Sequence, residues 1–260
     1  MRGLISGVLG ALLLSGAAFG AEDSACLVAG HLVHADFGLP RVAAAIGRKQ
    51  LTIMVLGSTS STLPGPEGAT KAYPARLEEA LRHDLPGTTV KIVTYAKARD
   101  TAAEMEKTLE KVVVDDKPDL VVWQTGTVDA IMGVDLDAFR AALEDGLDTL
   151  QTAKSDALLM NMQYSPRTDS MIALGSYAES MRFVALQREV PLFDRLAVMK
   201  NWNEMGVFDL YSATKKIDVA ERVHDCIGRL LARLIVDGAK LAHAGLIGSG
   251  EPGSAIKDLR

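Results

Sequence analysis

Five hydroxyl side chains in a row, Ser58, Thr59, Ser60, Ser61 and Thr62, follow directly on the apolar run Leu51–Leu56 and Gly57. A hydroxyl attacks an acyl carbon at neutral pH only when an adjacent base takes its proton, and histidine is the side chain suited to that task. Of the five histidines, His224 is the one placed to serve, because it follows a long loop and lies within the last helical stretch, with Asp218 and Asp225 nearby as orienting carboxylates. His31 and His34 fall in the lead-in, His83 at a polar helix end and His243 near the C-terminus. The pair His31 and His34 supplies two ligands, fewer than a metal site needs. A second polar loop, Thr125-Gly126-Thr127-Val128-Asp129, carries a carboxylate that can brace it. Ser and Thr after a strand are also ordinary turn and cap residues, so the chemistry depends on which elements bring these loops together.

Those elements alternate. Apolar runs at Leu51–Leu56, Val90–Val93, Leu120–Trp123, Ala157–Met160 and Val190–Phe193 read as five strands. Helical spacing appears in Tyr73, Leu77, Leu81 and Leu85, in Met105, Leu109, Val112 and Val113, and in Leu136, Phe139, Leu143, Leu147 and Leu150. It recurs over 177–187 and 217–236, and a short helix is expected near 42–46. The fold class is therefore α/β, a three-layer α/β/α domain on a five-stranded parallel sheet. In the flavodoxin-like order, ligands bind where strand order reverses, between the first and third strands. The two polar loops leave those strands. Asn203–Lys216 is too long for a plain turn and is a candidate functional loop; Trp202, Phe208 and Tyr211, in or beside it, either stack on a sugar ring or pack the loop down.

With these motifs in this order, Leu51 to about Val236 resembles the SGNH/GDSL hydrolases, esterases and lipases of α/β/α architecture. The resemblance rests on Ile53-Met54-Val55-Leu56-Gly57-Ser58-Thr59-Ser60-Ser61, Tyr73-Pro74-Ala75-Arg76-Leu77, Gly126-Thr127-Val128-Asp129-Ala130, and His224 ahead of Gly228-Arg229-Leu230-Leu231-Ala232. It implies a nucleophile just after Gly57, a His base near the C-terminus with a carboxylate three residues before it, and an oxyanion hole. Strict register sets Ser58 at the family's Asp and Thr59 at its nucleophile, and a shift of one makes Ser60 the nucleophile. Ala96 falls near the second-block Gly, and Val128 replaces the third-block Asn. Glu221 stands three residues before His224, one helical turn away, and Asp218 is the nearest Asp upstream. The resemblance thus implies Ser60 as nucleophile with Ser58 and Thr59 as rivals, and His224 as base. Amides near Ser60 and Ala96, with Gly126 and Thr127, receive the oxyanion, and Gln163 lines the pocket. It implies no metal or organic cofactor.

Arg2, the apolar run Leu4–Leu14 and the small residues through Gly20 form an export signal, residues 1–21, too short for a bilayer span. Residues 22–48 are read as an N-terminal extension, 49–238 as the hydrolase-like domain and 239–260 as a flexible tail. Cys26 and Cys226, the chain's two cysteines, are expected to pair in an oxidising compartment, periplasmic or secreted. The net charge of −5 without basic blocks excludes nucleic acid as an expected partner. Two functions follow: an exported hydrolase acting on an acyl or acetyl ester of an envelope glycan or small molecule, or a catalytically silent relative that binds a glycan or partner there. Phosphate binding lacks the Gly-rich and Lys signatures it needs.

Overall fold

The computed structural model describes residues 26–211 and 216–248; the expected export signal and the segment 249–260 lie outside the described residues. Five strands, β1 (Gln50–Gly57), β2 (Thr89–Ala96), β3 (Leu120–Gln124), β4 (Asp156–Met160) and β5 (Leu192–Phe193), form one sheet in the order β2-β1-β3-β4-β5. Every pairing is parallel. All of β3 is buried, as a strand covered on both faces must be, and its run is correspondingly apolar until Gln124.

The helices of six residues or more are α1 (Pro40–Gly47), α2 (Tyr73–Asp84), α3 (Ala102–Asp116), α4 (Thr127–Met132), α5 (Leu136–Thr152), α6 (Leu174–Gln187), α7 (Arg195–Glu204) and α8 (Ile217–Gly248). Successive side chains of β1 divide between two cores, as strand geometry requires. Ile53 and Val55 pack with α1, α2, α7 and α8, whereas Met54 and Leu56 pack with α3, α5 and α6. The three-layer arrangement read from the sequence is the one observed.

Besides two four-residue helices, Gly68–Lys71 and Pro166–Asp169, two of these helices have no counterpart in the sequence reading. With 6 and 10 residues, α4 and α7 are too short to show a period clearly. The last helix also runs on to Gly248 rather than ending near Val236, so 239–248 are helical and not a loose tail. Its extension is anchored, because Leu39 N–H donates to Gly238 O at 2.9 Å and Ala239 is buried. Cys26 and Cys226 form a disulfide that ties the segment before α1 to α8. Among the described residues no helix is long and apolar enough to cross a membrane.

Candidate active site

Strand order reverses at β1, which has β2 on one side and β3 on the other. Leu56 lies beside Trp123, so Gly57 and Gln124 close the two strands side by side. After Gly57 the chain makes a single tight turn, Thr59–Ser61, and its hydroxyls converge on Gln124. The Gln124 Oε1 accepts from Ser61 Oγ at 2.9 Å and Ser60 Oγ at 3.0 Å, with longer approaches from Ser58 N–H at 3.3 Å and Ser58 Oγ at 3.5 Å. An amide oxygen has two lone pairs, so the two short bonds account for it. Its partner atom, Gln124 Nε2, is buried without a hydrogen bond. Gly57 is required here: a Cβ on it would come 2.1 Å from Ser61 Oγ and 3.1 Å from Gln124 Oε1. Ser58 and Ser61 are buried, Thr59 is exposed and Ser60 is half-buried.

Ser61 Oγ also bonds the Tyr73 hydroxyl at 2.9 Å. Tyr73 opens α2, and its backbone N–H is one of the first-turn donors that a helix cannot satisfy internally. His224 satisfies it: the Tyr73 N–H donates to His224 Nδ1 at 3.0 Å. A neutral imidazole that accepts at Nδ1 carries its proton on Nε2. Burial first, and the nearby Arg195 charge second, hold the imidazole neutral by pushing its pKa down to about 3. The histidine of a Ser-His relay has the opposite arrangement, with Nδ1–H given to a carboxylate and Nε2 open to the hydroxyl. Among the described residues, no hydroxyl of residues 58–62 is hydrogen-bonded to His224. Glu221 directs its carboxylate to Lys71 Nζ at 3.0 Å, Asp225 pairs with Arg229, and Asp218 lies exposed in the first turn of α8. The structure therefore brings Ser58, Ser60 and Ser61 together and sets His224 at the backbone of Tyr73, whose side chain reaches Ser61.

The β3 loop is stapled from beneath. Asp129, buried in α4, accepts from the Ala102 N–H at the start of α3 at 3.0 Å and from Thr125 Oγ1 at 3.5 Å. Burial raises its pKa against those bonds. Gly126 has a φ of 94°, a left-handed conformation that favours glycine, and a Cβ there would meet Met162 Sδ at 2.6 Å. Thr127 Oγ1 is buried without a partner. Val128 supplies no side-chain donor. Ala96 ends β2 opposite Gly57 and is exposed. Trp202 and Phe208 are buried edge-to-face with centroids 5.3 Å apart, whereas Tyr211 is exposed.

Two residues of the site went unread in the sequence, Gln124 and Arg195. Arg195, the first residue of α7, is fully buried. Its Nη1 donates to Ser60 O at 3.3 Å and Ser60 Oγ at 3.5 Å, and its Nη2 to Gln163 Oε1 at 3.4 Å. Its guanidinium carbon lies 5.6 Å from the Tyr73 ring centroid. Burial lowers its pKa to about 10, so it stays charged at neutral pH. The available signal was position: Arg195 follows the fifth strand, at the same end of the sheet as the two polar loops.

Residues 25–241 match the model of the Non-GDSL lipase-like family, which spans well over half of the chain. The chain belongs to that family. Among solved structures, this family member is similar to a catalytic mutant of an acetylxylan esterase from Geobacillus stearothermophilus, at 20% identity and a TM-score of 0.57, over 71% of this chain and 94% of that one. It is also similar to a G-D-S-L family protein from Desulfitobacterium hafniense, at 15% identity and a TM-score of 0.54, over 70% and 98% of the two chains. A search of curated proteins finds no match. The fold is thus that of the SGNH/GDSL hydrolases, carried by a sequence that departs from their motifs.

Proposed function

We propose that this Non-GDSL lipase-like protein is an exported ester hydrolase, acting on an acyl or acetyl ester of an envelope glycan or a small molecule. Ser60 Oγ is the attacking atom. The observation that carries this reading is its position: Ser60 is half-buried at the strand-end crevice, held by Gln124 and touched by the buried Arg195. A cation there stabilises negative charge on the serine oxygen and on the tetrahedral intermediate, and such stabilisation is worth most where water is excluded. For His224 to take the Ser60 proton, the imidazole must release the Tyr73 N–H and move its own proton from Nε2 to Nδ1. Catalytic bonds commonly form only in the substrate complex. Export is supported by the signal at residues 1–21 and by the disulfide.

A second reading is favoured by one observation, the Tyr73 N–H bond to His224 Nδ1. With that bond kept, the crevice binds a glycan or partner without turning it over. Hydrolysis of short-chain aryl esters by the exported form separates the two. The first reading expects turnover that falls about 100-fold or more in Ser60→Ala. Turnover unchanged in Ser60→Ala removes the assignment of the nucleophile, and no turnover of any ester by the wild type leaves the binding reading.

A further inference from the structure

Among the described residues, Arg195 is a cation without a counter-ion. Removing a guanidinium from water costs several kcal/mol, which a folded chain ordinarily offsets with a carboxylate and well-made hydrogen bonds. Arg195 has neither. Its three hydrogen bonds go to neutral oxygens at 3.3, 3.4 and 3.5 Å, longer than the usual range for such bonds; the Tyr73 ring 5.6 Å away supplies a cation–π contact but no charge, and the Arg195 Nε is buried with no hydrogen-bond partner. The adjacent Asp194 does not help, because its carboxylate accepts from Asn161 Nδ2 at 2.7 Å, from Ala197 N–H at 3.0 Å and from Arg182 at 2.6 Å. Among the described residues no carboxylate lies within ion-pair distance of the Arg195 guanidinium. A second buried donor, Nε2 of the Gln124 amide whose oxygen holds Ser60, is likewise unused.

The way in is through the two side chains that Arg195 touches. Ser60 and Gln163 are both half-buried, so a ligand lying across them comes within reach of Nη1 and Nη2 once it replaces their long bonds. A planar fork of two N–H donors matches the two oxygens of a carboxylate.

We infer that the crevice takes a ligand bearing a carboxylate, seated on the Arg195 guanidinium beside Ser60. The inference rests on the reading of this crevice as the ligand site, and not on turnover. The carboxylate comes either from an acidic sugar or from the acid released by ester cleavage. In both cases the protein recognises an acidic ligand, although its own net charge is negative.

The test is thermal unfolding of the full exported protein with D-glucuronate, acetate, D-glucose or inorganic phosphate as probes, with no ester present. Glucuronate or acetate is expected to raise Tm by about 3–6 °C at ten times its Kd, with glucose without effect; glucuronate alone identifies the sugar acid, and acetate the released acid. Arg195→Met is expected to abolish the shift while keeping or raising the unliganded Tm, since an apolar side chain removes an uncompensated charge. Arg195→Lys keeps the charge without the fork and serves if the Met variant does not fold; its Kd is expected to rise several-fold. No shift with either carboxylate, a shift with phosphate alone, an equal shift with glucose, a shift that survives Arg195→Met, or one undiminished in Arg195→Lys would overturn the inference. Turnover enters none of these readouts, so failure here leaves the hydrolase proposal standing, and the reverse also holds.

Discussion

Breaking the bridge between Cys26 and Cys226 is expected to lower stability by about 5 kcal/mol. The two cysteines are 200 residues apart in the chain, so their bond closes nearly the whole of the described fold. By the chain-entropy relation, a loop of about 200 residues removes about 18 cal/mol/K from the unfolded ensemble, or about 5 kcal/mol at 25 °C. With a urea m-value of about 2.5 kcal/mol/M for a domain of this size, the midpoint should fall by about 2 M. The comparison is urea unfolding of the oxidised protein against the same protein in dithiothreitol, followed by circular dichroism. Reduction leaves both sulfurs in place, so the difference reports the cross-link, whereas Cys26→Ala/Cys226→Ala adds the cost of emptying two buried sites. Midpoints within about 0.3 M of each other, or two titratable thiols in the unfolded, unreduced protein, would refute the reasoning.

Gly57→Ala should cost about 1–3 kcal/mol, read as a drop in the urea midpoint. The new methyl carbon would sit 2.1 Å from Ser61 Oγ, and that hydroxyl can turn away only by giving up its bonds to Gln124 and Tyr73; an unchanged midpoint would mean that the hydroxyl cluster is not tightly held. The stability contributed by His224 should be lost as pH falls. Its folded pKa of about 3 lies below the ordinary 6.5, so the unfolded chain takes up a proton that the native state refuses. The loss starts near pH 6.5 and grows to roughly 4–5 kcal/mol by pH 3. His224→Gln, whose amide oxygen can accept from Tyr73, should flatten that part of the pH profile, and parallel profiles for the two proteins would show that the histidine is not held neutral.

The layered sheet was legible because each layer leaves a period in the chain. β1, β3 and β4 are short apolar runs covered on both faces, and α2, α3 and α5 repeat their apolar residues every three or four positions. The short helices α4 and α7 were missed for want of length. That omission hid Arg195, since a lone arginine after a strand looks like solvent-exposed charge until the helix that follows buries it. That the strands leading to Ser58 and Ser60 and to Gly126 are neighbours was readable from the expected strand order. The state of His224 was not: a one-dimensional pattern cannot tell which ring nitrogen meets which donor, and here the donor is the unpaired backbone N–H at the start of α2.

Taken alone, the amino-acid order determined the class of fold, the apolar face of each long element, and a Cys pair at opposite ends of the chain, because these depend on local periodicity and on composition. Tertiary structure alone decided that Gln124 gathers the hydroxyls, that His224 caps a helix, and that Arg195 lies buried with no counter-ion among the described residues. Those outcomes depend on which atoms meet across 60 to 150 residues of chain, and on how much water the packing leaves around a charge; neither is written in the spacing of residue types.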